Sequence, residues 1–318
     1  MDSIASGTVL ITGSTGGLGR ATTLAMAGRP ARGRPDLVLL GRPGRTLDGL
    51  AAEVRQTGAT VRQIGCDLAR LADVRRAAQQ VKDLLVAGAV RPLRGLVANA
   101  GLMSADTHAV SADGYELTFA VNYLAHAQLI GDLLDSFTAP ARIVLVGSNT
   151  CHQNVYRRIL RVAPAVWRDP IELARPLPAA EPAGTQPSGI AYSNSKLAVL
   201  YYAHELQRRA PDGIGVAVFE PGFMPGTGLG RDQGAAVQWI GRAVAALPGV
   251  STPAESGPLF ASVVLDDRWA HLRDGAFVVK DTERTVEPFA IDPARERRLW
   301  VATEELLGDT VDPDVRPG

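Results

Sequence analysis

Short apolar runs alternate with longer amphipathic stretches through the first two thirds of the chain. The runs Thr8–Thr12, Asp36–Gly41, Thr60–Cys66, Gly95–Ala98, Arg142–Gly147 and Gly215–Glu220 read as strands. Most are rich in Val, Ile or Leu on successive positions, as strands buried on both faces are. The stretches Gly17–Ala27, Thr46–Gln56, Leu71–Val86, Ser111–Ser136 and Ala191–Arg209 carry apolar residues at helical spacing. A last helix is expected from near Pro293, through Thr303–Leu307. This βαβα rhythm predicts the α/β class: a single Rossmann-type, doubly wound parallel sheet with helices on both faces, one domain over residues 1–318.

Two segments break the rhythm. Asn149–Gly189 is rich in Pro and Arg, holds Trp167 and a low-complexity piece at Leu177–Ser188, and reads as an insertion with a short helix and a flap. Phe223–Val250 carries several glycines and then an amphipathic run around Ala235–Leu247, which suits either a surface helix or a substrate lid.

Composition narrows the function classes. The chain has 318 residues, 46% hydrophobic and 21% charged, with 33 basic against 33 acidic side chains. That balance gives no polyanion-binding surface, so no nucleic-acid partner is expected. Two cysteines, Cys66 and Cys151, are too few for a disulfide framework and point to a reducing compartment. Met1–Gly7 has no signal-peptide pattern and no apolar stretch is long enough to span a bilayer, so the expected location is cytoplasmic. His108, His126, His152, His204 and His271 fall in no metal-ligand motif, and no metal is expected. His152 and Cys151 read as loop residues, and Tyr201–Tyr202 as packing against the sheet or a partner subunit.

Gly13-Ser14-Thr15-Gly16-Gly17-Leu18-Gly19 follows the first strand and opens the first helix. Glycines allow close backbone approach to a pyrophosphate, and the helix N-terminus offers free N–H groups at the positive end of its dipole. Arg42 ends the second strand, with Arg45 close behind, where an acidic residue would bind ribose hydroxyls and repel a 2′-phosphate. A guanidinium suits that phosphate, so the expected cofactor is NADPH (NADP+). Asp67 and Leu68 end the third strand, where Asp67 could accept a bond from the adenine amine; Cys66 reads as a small buried strand residue.

Tyr192-Ser193-Asn194-Ser195-Lys196 places a phenol and an ammonium four residues apart, on one helix face. The ammonium favours the phenolate, so Tyr192 can protonate a carbonyl oxygen while hydride reaches the carbon. Ser148 closes a strand, where its hydroxyl could hold the same oxygen, and Lys196 can also bond the nicotinamide ribose.

With these elements in this order, the chain resembles the short-chain dehydrogenase/reductase family from Thr8 to Glu220. The match rests on the Gly13–Gly19 loop, Asn99-Ala100-Gly101, Asn122, Ser148, Tyr192, Lys196 and Pro221-Gly222. The resemblance implies a catalytic tetrad of Asn122, Ser148, Tyr192 and Lys196, with Asn122 ordering a water that relays protons to Lys196. It implies cofactor contacts at Asn99, Ala100, Gly101, Pro221, Gly222, Phe223 and Thr227. Phe119–His126, Pro221–Leu229 and the long gap between Ser148 and Tyr192 resemble the retinol-dehydrogenase and protochlorophyllide-reductase branch. The chain departs from it in Phe223 after Pro221-Gly222, in Ala98, in Gly226 where a threonine is common, and in having no cysteine that matches the one thought to aid protonation in protochlorophyllide reductases. The implied function is reduction of a ketone or aldehyde on a bulky, fairly apolar small molecule, or the reverse oxidation, by a monomer or homodimer rather than a tetramer. Light-dependent reduction of a ring double bond and non-catalytic cofactor binding are the alternatives.

Overall fold

The structure, a computed structural model, describes residues 3–148, 163–181, 184–224 and 250–308. Among the described residues eight strands form one sheet: β1 Thr8–Thr12, β2 Asp36–Gly41, β3 Val61–Gly65, β4 Leu93–Ala98, β5 Phe137–Val146, β6 Ile214–Glu220, β7 Ala276–Val279 and β8 Thr282–Arg284. Their order is β3-β2-β1-β4-β5-β6-β7-β8. Every neighbouring pair is parallel except the β7–β8 hairpin, which adds an antiparallel edge to the expected parallel sheet. The order reverses between β1 and β4, which opens a crevice beyond the carboxyl ends of those strands.

Side chains alternate through the sheet. Val9, Ile11, Leu37 and Leu39 pack under helices α1 (Gly17–Ala27) and α2 (Arg45–Gln56). Leu10, Val38 and Leu40 face α3 (Leu71–Val86). Because both faces are covered, these strands read as continuous apolar runs rather than alternating ones.

Helix α4 departs from the expectation. It was expected from Ser111, but a bridge between Val110 and Glu116 encloses a turn with Gly114 at φ +82, and the helix opens at Leu117–Phe119. Glu116 caps it, its carboxylate accepting the N–H groups of Thr118 and Phe119 at 2.9 and 2.6 Å. A π turn at Ala120–Leu124 follows, then Ala125–Leu133.

The described part of the insertion contains α5, Pro170–Leu173, the short helix expected there. Helix α6, Thr185–Arg209, starts before the expected Ala191, because Pro187 sits in its first turn, where a missing N–H costs nothing. Helices α7 (Pro253–Leu265) and α8 (Pro293–Gly308) follow among the described residues. Phe260 of α7 stacks on Phe219 of β6 at 4.4 Å. Tyr202 of α6 stacks on Trp300 of α8 at 5.5 Å, and Tyr201 donates from its hydroxyl to Phe289 O. The tyrosine pair therefore holds the C-terminal segment of its own chain. No helix among the described residues is long and apolar enough to cross a membrane.

Candidate active site

The loop after β1 is shaped for close backbone approach. Gly13 takes a left-handed φ of +63, and a Cβ on Gly19 would fall 2.2 Å from Gly13 O. Asn99 at the end of β4 donates its amide to Thr12 O and Gly13 O at 3.0 Å each, locking the loop to the neighbouring strand. Leu18 is buried in the core, so only its backbone can face a ligand. Ser14 is fully buried and its hydroxyl has no hydrogen-bond partner. An orphaned hydroxyl in a cradle that a Cβ would fill is what a phosphate-binding turn needs.

Along the same edge, Arg42 is exposed just after β2 and Arg45 opens α2. Neither takes part in an ion pair among the described residues. Asp67 is exposed, accepting the Ala69 N–H at 3.1 Å, and Leu68 beside it is partly buried. Burial and the nearby Asp73 and Asp67 push the Cys66 thiol up to about 12, so it is inert at neutral pH.

At the other end of the crevice, α6 presents Tyr192 and Lys196. Both are buried, and the ammonium nitrogen lies 5.8 Å from the centre of the Tyr192 ring. Lys196 donates to Val146 O at 2.7 Å, at the end of β5, two residues before the partly buried Ser148. Burial alone lowers the ammonium from its ordinary 10.5 to about 8. A Cβ on Gly101 would sit 3.8 Å from that nitrogen and 3.2 Å from Asn122 Oδ1. The backbone after β4 thus passes between the lysine and Asn122.

The three residues between Tyr192 and Lys196 each hold something. Ser193 donates to Ala163 O at 2.7 Å, and Asn194 Oδ1 accepts the Val166 N–H at 2.9 Å, pinning the returning arm of the insertion. Ser195 donates to Tyr192 O at 2.7 Å and accepts from Asn122 Nδ2 at 3.0 Å. Asn122 also pairs with Leu102 in both directions, at 2.8 and 2.9 Å.

The π turn adds a residue the sequence reading passed over. It frees backbone carbonyls that must be satisfied elsewhere. Asn122 O is reached by His126 Nδ1 at 3.1 Å. A carbonyl only accepts, so Nδ1 carries the proton and Nε2 accepts from Thr12 Oγ1 at 2.9 Å. Thr12 Oγ1 in turn accepts the N–H groups of Asn99 and Ala100, each at 3.0 Å. A buried chain of hydrogen bonds therefore joins the phosphate loop to the Asn122 turn. The available signal was a histidine four residues after an asparagine on a mostly apolar helix.

Burial holds His126 neutral, lowering it from 6.5 to about 4. A folded value below the unfolded one means stability is complete above pH 6.5 and is lost as pH falls toward 4. The expected loss is about 3 kcal/mol across that window. Urea unfolding of the wild type and His126→Gln at pH 7 and 4.5 measures it; equal losses in the two proteins would assign the acid sensitivity elsewhere.

Pro221 is buried beyond β6, with Gly222 and Phe223 following it. Thr227 and Gly226, Cys151 and His152, residues 149–162 and 182–183 of the insertion, and residues 225–249 of the second irregular segment lie outside the described residues. No group of three or more His, Cys, Asp or Glu that could hold a metal occurs among the described residues.

The family model described as short chain dehydrogenase matches residues 7–160. DnrU of Streptomyces sp. (strain C5), whose name provisionally assigns it a daunorubicin C-13 ketoreductase activity, is 30% identical over 95% of this chain and 93% of its own. The chloroplastic protochlorophyllide reductase of Chlamydomonas reinhardtii is 28% identical over 95% of this chain and 78% of its own. Among solved structures, a short chain dehydrogenase from Burkholderia cenocepacia J2315 in complex with NADP superposes with a TM-score of 0.62 at 21% identity, covering 88% of this chain and 98% of that one.

Proposed function

The chain belongs to the short-chain dehydrogenase/reductase family, and from that membership we propose that it is an NADPH-dependent reductase of a ketone or aldehyde on a bulky, fairly apolar small molecule. The observation that carries the reading is the buried Lys196 ammonium beside Tyr192 on α6, with Ser148 two residues beyond the end of β5.

When bound, the cofactor would supply hydride to the carbonyl carbon. Ser148 donates a hydrogen bond to the carbonyl oxygen, which gains negative charge as hydride arrives. Tyr192 gives that oxygen its phenolic proton, and the phenolate left behind is stabilised by the Lys196 ammonium. Solvent then returns a proton to Tyr192. Asn122 holds Leu102, and with it the backbone that passes Lys196. Its Oδ1 keeps a second lone pair for the proton-relaying water.

The cradle made by Gly13, Ser14, Thr15, Gly17, Leu18 and Gly19 would hold the pyrophosphate, and Asp67 with Leu68 the adenine. Arg42, aided by Arg45, would hold the 2′-phosphate, and Pro221 to Phe223 the nicotinamide. Arg42→Asp is expected to weaken NADPH binding about 10–100-fold, through loss of a charge-assisted bond and added repulsion. Fluorescence titration with NADPH and NADH checks it; equal wild-type affinities for the two would remove the preference.

The insertion walls the substrate cleft in this reading. Its arm docks on the loop before α4: Leu177 donates its N–H to Thr107 O at 3.1 Å, and His108 Nδ1 lies 3.0 Å from Leu177 O. Trp167 packs edge-on against Tyr201 at 4.8 Å, and Asp169 pairs with Arg298 of α8. Asn194→Ala releases Val166 and is expected to raise KM about tenfold for a bulky ketone, about 1.4 kcal/mol, while a small ketone keeps its KM. Equal shifts for both would mean that the arm only braces α6.

Light-driven reduction of a ring double bond is the second reading, favoured by the chloroplastic relative. NADPH oxidation by the protein and a ketone panel in darkness decides for the first.

A further inference from the structure

Beyond the loop after β1, a second group of polar atoms gathers at the same edge of the sheet, where no motif drew attention. Register carries Ser148, Pro221 and Lys280 into one row. Val146 pairs with Phe219, Glu220 pairs with Val279, and the Lys280 N–H donates to Glu220 O at 2.9 Å. Lys280 therefore stands two strand spacings, roughly 10 Å, from Ser148.

Three features mark this corner. Lys280 takes a φ of +57 at the first position of the turn between β7 and β8, where glycine is the low-cost residue. Its aliphatic arm leans over the turn after β6: a Cβ on Gly222, itself at φ +83, would fall 2.7 Å from Lys280 Cε. The same point lies 2.2 Å from Ser251 Oγ. Ser251 is 4% exposed, its N–H is held by Phe223 O, and its hydroxyl has no partner. Among the described residues no ion pair involves Lys280, and the neighbouring Asp281 accepts from the Thr282 hydroxyl instead.

A buried hydroxyl with no partner costs about 1–3 kcal/mol, and a non-glycine residue in the left-handed region about 1 kcal/mol or more. Both costs fall at one corner of the cleft, and an anion there would offset them. We propose that Ser251 and Lys280, closed around the Gly222 turn, form an oxyanion-binding subsite at the carboxyl ends of β6 and β7. The inference rests on the reductase reading above. Its ligand is a phosphate or carboxylate oxygen, from either of two sources: the cofactor's diphosphate or an acid group on the substrate. Ser251 would donate its hydroxyl proton to the anion and Lys280 an ammonium proton, with no bond made or broken.

The experiment compares wild type with Lys280→Ala, Lys280→Gly and Ser251→Ala. NADPH is titrated by fluorescence, and kcat/KM is measured on 4-benzoylbutyrate and on its methyl ester. The glycine variant relieves the backbone cost, so its thermal midpoint should match or exceed that of wild type and shows that folding is intact. If the diphosphate is the ligand, Kd for NADPH rises at least tenfold in both Lys280 variants and about threefold in Ser251→Ala, with the acid-to-ester ratio unchanged. If a substrate acid is the ligand, NADPH affinity holds and the wild-type preference for the acid over the ester falls at least fivefold. The subsite is overturned if folded Lys280→Gly and Lys280→Ala change neither quantity. A wild type that fails to bind NADPH would instead strike the reductase reading itself.

Discussion

Tyr192→Phe is expected to lower kcat by about 10²–10⁴-fold, the contribution of a positioned general acid, while Kd for NADPH stays within about twofold. The variant deletes one hydroxyl and keeps the ring of a residue that is 9% exposed, its centre 5.8 Å from the lysine nitrogen. Lys196 keeps its bond to Val146 O, and Ser195 its bond to the backbone carbonyl at 192. The helix face, the insertion arm and the cofactor cradle are therefore unchanged, and the loss should fall on kcat alone. Single-turnover reduction monitored at the NADPH absorbance, beside equilibrium titration of the cofactor, separates the two quantities. A variant with near-normal kcat would move the proton donor to another group and end the mechanism proposed for this site.

Lys196→Met is expected to do two opposite things. Activity should fall by about 10²–10³-fold, because no cation remains to stabilise the Tyr192 phenolate, a loss of about 3–4 kcal/mol in the transition state. Folding stability should rise. The ammonium is 4% exposed and its burial lowers it to about 8, so the charged form is penalised in the folded state. With the folded value below the unfolded one, the unfolded chain binds the extra proton between about 8 and 10.5, and wild-type stability climbs through that window. Methionine has similar volume and no charge, so the variant should lose that climb and gain about 1–3 kcal/mol at pH 7, set against an unpaired Val146 carbonyl. Urea unfolding at pH 7 and 10 reads both. In wild type, kcat/KM for reduction should decline as pH rises through about 8. A pH-independent rate up to pH 10, or a Lys196→Met variant less stable than wild type, would show that the lysine is structural.

Several features of this site were legible along the chain because each is set by neighbours within a few residues. β1, β2, α1 and α3 match their expected ends. A strand buried on both faces must be continuously apolar, and an amphipathic helix must repeat near every fourth residue. The loop after β1 needs glycines where a Cβ would strike Gly13 O or Ala100, and that requirement is visible as letters. The spacing of Tyr192 and Lys196 puts them on one helix face whatever the rest of the chain does.

What the sequence did not disclose depends on pairings between distant segments. The start of α4 was decided by Glu116 and the Gly114 turn against a helical pattern that extends to Ser111. The carbonyl freed by the π turn meets His126 four residues on, but the other ring nitrogen finds Thr12 only because this helix lies against the end of β1. Ser193 and Asn194 look like spacers between two chemical residues until the insertion returns and needs partners for its backbone. Ser251, Gly222 and Lys280 meet only because β7 pairs with β6, which no local pattern encodes. Composition, spacing and periodicity report the chemistry carried by one element. Which elements become neighbours follows from the order of the sheet and the burial of its two faces, a balance of long-range packing against chain entropy that only the folded chain resolves.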